Sequence, residues 1–177
     1  MKRRALLEAM SKVMFAGSML PVLKACSASN PGASRATAVS PKLGMSKADW
    51  REILPADRFA VLFEEATERP GSSPLNDEDR DGVYICAACH LPLFESAHKY
   101  DSGTGWPSFT QPIADSMGTK ADYKLFFRRT EYHCIRCGGH QGHVFDDGPP
   151  PRRERWCNNG LALLFVPEGE PLPALRG

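Results

Sequence analysis

Residues 82–94 read GVYICAACHLPLF: a short β-like run, GVYIC, closes on the knuckle Cys86-Ala-Ala-Cys89. A second knuckle, Cys134-Ile-Arg-Cys137, closes the run YKLFFRRTEYHC, residues 123–134, in the same way. In such a knuckle two thiolates reach one tetrahedral ion while turn amides stabilise the sulfur charge. Two knuckles complete a closed four-thiolate site, the structural form of zinc coordination. The interval between them exceeds that of an ordinary zinc ribbon, so an insertion separates them. Two strained CxxC disulfides, or one redox-active CxxC, are the competing readings. The pairing favours one structural zinc ion on Cys86, Cys89, Cys134 and Cys137. Four protein ligands close that ion to substrate, so the chemistry has to lie elsewhere.

Working outward from the knuckles, GVYIC, YKLFFRRTEYHC, GHVF, RWC and LALLFV predict short strands rich in aromatic and aliphatic residues. DSGTGWPS, CGGHQG and DDGPPP supply turns between several of them. Upstream, Ser46 with Asp49 three residues later forms a capping-box pattern ahead of Trp50, Ile53 and Leu54. Phe59, Leu62, Phe63 and Ala66 then recur at helical spacing, with Pro55 at the first turn. These helices read as core cover without chemistry. The expected fold class is mainly β: a small zinc-stabilised antiparallel β domain with short N-terminal helices, over residues 46–168, followed by a C-terminal tail, 169–177. With 177 residues, 42% apolar and nine Phe, the chain can build a real core. Its net charge of +1 provides no field that would attract nucleic acid or anionic lipid, and a monomer is expected.

The first residues read as an export segment. MKRR is basic, VMFAGSMLPVL (13–23) has signal-peptide length but is too short to span a bilayer, and Arg3 with Arg4 resembles a twin-arginine signal. LKAC, ending at Cys26, resembles a lipoprotein cleavage box, although Lys24 is unusual there. Residues 1–26 are therefore expected to be the signal and 27–45 a flexible linker. The mature protein would lie in a bacterial periplasm, free or lipid-anchored through Cys26. A weakly amphipathic helix on a cytoplasmic protein is the alternative.

Cys157, in RERWCNNG (153–160), has no CxxC partner. If this stretch is a strand, Arg155, Cys157 and Asn159 share one face, with Trp156 and Asn158 on the other. A guanidinium beside a thiol favours the reactive thiolate, whereas an unpaired cysteine is more commonly a small buried hydrophobe. GGHQGHVFDDG (138–148) carries His140 and His143 in a glycine-rich stretch, as proton donors or as plain loop histidines. SGTGWPSF (102–109) places Trp106 either as an apolar wall or as a core aromatic. A non-catalytic zinc-ribbon binding module and a CxxC disulfide oxidoreductase remain as rival readings.

GVYICAACHLPLF, KYDSGTGWPSF, CIRCGGHQGHVFDDGPPP and RWCNNGLALLF together resemble the methionine sulfoxide reductase B family, in order from about Trp50 to Phe165. The resemblance implies reduction of methionine R-sulfoxide in oxidised proteins, a repair reaction. It makes Cys157 the nucleophile, passing through a sulfenic acid, and gives His140 and His143 to proton transfer and to the sulfoxide oxygen. Trp106 would pack on the substrate methyl group and Phe145 would line the same pocket. Arg155 and Asn159 would flank the nucleophile, Asp146 would support the site, and the four knuckle cysteines would hold the zinc. Where many members have a resolving cysteine, in SGCGWPSF, this chain has Thr104. The resemblance thus implies regeneration by an external thiol, thioredoxin-like or other. Around the nucleophile, members often read RYCINS, and here Trp156, Asn158 and Gly160 differ.

Overall fold

The structure, a computed structural model, describes residues 43–124 and 128–177. The proposed signal, Cys26 and nearly all of the linker lie outside the described residues. Helix α1 (Lys47–Ile53) starts as its sequence predicts. Ser46 Oγ accepts from the Asp49 amide and the Asp49 carboxylate accepts from the Ser46 amide, a reciprocal cap worth about 1 kcal/mol. Helix α2 (Ala56–Glu64) buries Phe59, Val61, Leu62 and Phe63. It ends before Ala66 because Glu65 turns left-handed (φ 55°), letting the Ala66 amide close on Ala60 O.

Among the described residues, nine strands follow in two antiparallel sheets. The smaller has the order β2–β1–β9, from β1 (Gly82–Cys86), β2 (Pro92–Glu95) and β9 (Leu163–Pro167). The larger runs β3–β4–β8–β7–β6–β5. It comprises β3 (Lys99–Tyr100), β4 (Ser108–Phe109), β5 (Met117–Asp122), β6 (Arg129–Cys134), β7 (His140–Phe145) and β8 (Arg155–Asn158). The mainly β, antiparallel architecture is the expected one.

Two expected strands are shorter than their sequences suggest. Of the described residues in YKLFFRRTEYHC, Arg129–Cys134 are strand while Tyr123, Lys124 and Arg128 are not, and Tyr123 is exposed. LALLFV begins as a 3-10 turn, Gly160–Ala162, because the Glu68 carboxylate takes the amides of Gly160 (2.6 Å) and Leu161 (2.8 Å). Those amides are then unavailable to a strand partner, and β9 starts at Leu163.

An aromatic column fills the space between the sheets. Phe94 stacks on Phe109 (4.0 Å), which meets Tyr84 (5.0 Å) edge-on, while Tyr132 meets both Phe94 (6.2 Å) and Trp156 (4.9 Å). Each such pair adds about 0.5–1.5 kcal/mol beyond its burial. Since side chains alternate along a strand, the larger sheet keeps Phe109, Tyr132 and Trp156 on its core face. Its other face carries Ser108, Cys157, Arg155, His143, Phe145, Glu131, Arg129 and Asp122, which the register sets side by side.

Candidate functional site

On that second face, Cys157 of β8 pairs directly with His143 of β7 on one side and with Ser108 of β4 on the other. The close β7–β8 pairing depends on Gly142, since a Cβ there would run into the Cys157 carbonyl. Cys157, His143, Gly142, Asn158, Asn159, Arg129, Phe145, Thr67 and Trp106 enclose a small cleft of about 110 Å³. The Trp106 indole is fixed by its Nε1 donating to Glu68 O (3.2 Å). The Glu68 amide in turn donates to Asn159 Oδ1 (3.1 Å).

Burial pushes the Cys157 thiol above its ordinary pKa, and Arg155 and hydrogen bonds from Thr104 and Ser108 oppose that rise. Arg155 is itself clamped by two bonds to Asp147, of 2.7 and 2.9 Å, and lies 4.2 Å over the Phe145 ring. His143 Nε2 stands 2.8 Å from Asp122 Oδ2, and Arg129 donates to the same oxygen at 2.6 Å. The Lys124 amide, His143 and Arg129 hold the Asp122 carboxyl well below the usual carboxylate range. An ionised Asp122 only accepts, so His143 Nε2 carries the proton and donates it. Burial lowers the His143 pKa despite that partner.

His140 occupies a different position from His143. It is only 3% exposed and lies behind His143 (ring centroids 5.5 Å apart), with Nδ1 3.0 Å from Glu131 Oε1. Burial also depresses its pKa. Asn159 lines the cleft, but its amide is committed to backbone: Oδ1 to Glu68 and Nδ2 donating to Gln141 O (3.0 Å). Asp146, expected as support for the site, is exposed and is not the carboxylate that meets Arg155. Its neighbour Asp147 is, because the turn at Gly148 swings that side chain back onto β8. Asp122, Glu131, Arg129 and the hydroxyls around Cys157 were not anticipated. Asp122 and Glu131 meet the two histidines through the β5–β6–β7 register, which spacing along the chain does not show.

The four knuckle cysteines gather at the opposite end of β6 and β1. Their sulfurs all lie within 4.8 Å of one another and, among the described residues, they are the one set placed to hold a metal ion. The sulfurs of Cys86 and Cys137 are 3.6 Å apart and those of Cys89 and Cys134 are 3.5 Å apart. Four thiolates about 2.3 Å from a shared tetrahedral ion stand about 3.8 Å from each other, so the donor set fits zinc. Hydrogen bonds from neighbouring thiols hold Cys89 far below an ordinary thiol pKa, and the same contacts raise Cys86 and Cys137. No disulfide joins the described cysteines.

Comparison with known proteins agrees with this geometry. The SelR domain model matches residues 54–167. The peptide methionine sulfoxide reductase MsrB of Agrobacterium fabrum is 46% identical over 129 residues, covering 72% of this chain and 96% of that protein. Its namesake in Bradyrhizobium diazoefficiens is 47% identical over 128 residues (72% of this chain, 92% of that protein). That of Methanosarcina mazei is 44% identical over 128 residues (72% of this chain, 91% of that protein). The chain belongs to the methionine sulfoxide reductase B family.

Proposed function

We propose that this peptide-methionine (R)-S-oxide reductase works through Cys157, with His143 as the proton-handling group across the ladder. The observation that carries the reading is the Cys157–His143 strand pair opening on a cleft bounded by Trp106 and Phe145. The Cys157 thiolate attacks the sulfoxide sulfur, and the oxygen leaves the methionine with a proton. Methionine is released and Cys157 becomes a sulfenic acid: Cys–SH plus sulfoxide gives Cys–SOH plus thioether. With its Nε2 proton donated to Asp122, neutral His143 has the Nδ1 lone pair to take the Cys157 thiol proton, which it then passes to the departing oxygen. His140, sealed behind it, positions His143 and keeps the site dry. Trp106 and Phe145 supply the apolar walls for the S-methyl end.

Regeneration needs two equivalents of an external thiol. The first displaces water to form a mixed disulfide, and the second releases Cys157 and a disulfide product. Thr104 has no sulfur to give, and the other cysteines of the described domain are committed to the knuckle cluster. That cluster supports one structural zinc ion, which would cross-link the fold and take no part in the chemistry. A non-catalytic zinc-ribbon module would have no use for a thiol facing an imidazole in a cleft.

Turnover of R and S dabsyl-methionine sulfoxide with dithiothreitol tests the reading. The R isomer should be consumed, the S isomer spared, and Cys157→Ser should be inactive. No turnover of the R isomer, or equal turnover by the variant, overturns it. The N-terminal sequence motivates a second proposal: export to a periplasm, with Cys26 as a possible lipid attachment point. Sequencing the amino terminus of the mature protein decides this, and a full-length cytosolic protein would refute it.

A further inference from the structure

Three hydroxyls form a cluster beside Cys157. Ser102 Oγ lies 2.8 Å from Thr104 Oγ1 and 2.8 Å from Ser108 Oγ. Ser108 is fully buried, pairs with Cys157 in the β4–β8 ladder, and can donate to Trp106 O at 3.1 Å. The Thr104 and Ser108 hydroxyls both act to lower the pKa of the Cys157 thiol. Thr104 is therefore more than the absence of a resolving thiol. It puts a hydroxyl into the cluster beside Cys157, at the position where a resolving thiol would have stood.

The proton count decides what this array does. Three hydroxyls carry three protons, and each proton is free to rotate onto any neighbour it can reach. A thiol can itself donate, so it needs none of them. A thiolate only accepts, and it draws the protons of Thr104 and Ser108 onto the sulfur while Ser102 donates to one or other of those oxygens. The array thus favours the charged form selectively. The other charged or titratable groups facing Cys157 are few. Arg155, held by Asp147, shares its strand; His143 faces it from β7, Arg129 comes from β6 and Tyr100 from β3, and Tyr132 acts on it from the opposite face of the sheet. The Arg129 charge is spent on Asp122 of β5, which also holds His143. That leaves Arg155 and the hydroxyls to oppose burial.

We propose that Thr104 is a catalytic residue of this enzyme: backed by Ser102 and Ser108, its hydroxyl donates to the Cys157 thiolate and keeps the nucleophile charged in a cleft that gives it little solvation. The proposal rests on Cys157 being the nucleophile. It assigns chemistry to the position from which resolution has been lost.

The test is the pH dependence of Cys157 alkylation by iodoacetamide in the full chain, read on the Cys157 peptide by mass spectrometry. Wild type is compared with Thr104→Val, which keeps the shape and removes the donor, with Thr104→Ser, and with Ser102→Ala. For Thr104→Val the midpoint should move up by about one pH unit, a tenfold loss of thiolate below the midpoint. The kcat/KM for R dabsyl-methionine sulfoxide at pH 7 should fall in the same proportion. Thr104→Ser should return both to wild type, and Ser102→Ala should move the midpoint upward by less. A Thr104→Val profile that superimposes on wild type overturns the proposal, as does a Thr104→Ser variant no better than Thr104→Val. Alkylation follows the thiolate without substrate. If the variants show these shifts in alkylation while wild type reduces no sulfoxide, the reductase mechanism is refuted and the hydroxyl array stands.

Discussion

Burial raises the Cys157 pKa and Arg155 is the largest of the groups that lower it, so the charge on the proposed nucleophile depends on where that guanidinium is held. Asp147 grips it with two bonds and Phe145 lies under its face, a fork-and-plane environment that a lysine does not fill. Arg155→Met should therefore raise the alkaline-going limb of kcat/KM and lower kcat/KM at pH 7 by about tenfold or more, on the order of one opposing charge near a partly buried thiol. Arg155→Lys should recover only part of it. A pH profile of R-sulfoxide reduction measures both, and an unshifted limb for Arg155→Met would contradict the role. At this scale the sequence was informative where strand alternation applies: Arg155 and Cys157 on one face follows from a spacing of two. It did not distinguish Asp146 from Asp147, adjacent and chemically identical in a turn whose direction depends on Gly148. Nor could it pair Asp122 with His143, 21 residues further along. That contact exists only once β5, β6 and β7 are in register.

Among the elements, the β7–β8 ladder carries the site, and its tightness rests on one missing side chain. Gly142 faces Asn158 across the ladder, and a Cβ there would collide with backbone at Cys157 and Asn158, neither of which can rotate away. Gly142→Ala should push β8 from β7, separate Cys157 from His143, and cost about 1–3 kcal/mol of stability as overpacking. Activity should fall by more than stability alone explains, because folded molecules would still carry a widened cleft. Denaturant unfolding beside turnover of the folded fraction checks this, and a variant with native activity per folded molecule would refute it. The strands legible in the sequence are those with apolar alternation or an apolar run, such as β1. The β5 sequence, MGTKAD, has neither, since its middle is exposed at a sheet edge, and it can be recognised only by the β6 partner it pairs with. LALLFV misleads at its start for a related reason: a distant carboxylate, Glu68, claims the amides that a strand would have used.

For the molecule as a whole, the knuckles join what the aromatic column only packs together. Cys86 and Cys89 lie at the end of β1 in the smaller sheet, and Cys134 and Cys137 at the end of β6 in the larger one. The chain end fastens on the same place: the Arg176 amide donates to Cys89 O (3.1 Å), His90 Nδ1 donates to Ala174 O (2.9 Å), and Arg136, buried between the second pair of cysteines, donates to Arg176 O (2.5 Å) and Gly177 O (3.0 Å). Residues 169–177 are thus tied to the knuckles at several points. A structural zinc ion on four thiolates contributes about 10–16 kcal/mol of apparent binding free energy at neutral pH. A whole domain is net stable by only about 5–15 kcal/mol. Removing the ion should therefore leave no cooperative fold at all, not merely a softened one. It would also leave four thiolates packed in a buried cluster, which must take up protons or repel one another. Dialysis against a strong chelator, or Cys89→Ser, should abolish the cooperative thermal transition and the reductase activity together. Elemental analysis should show one zinc per wild-type chain. Chelated protein that still melts cooperatively within a few degrees of the loaded form would show that the aromatic column suffices to hold the two sheets.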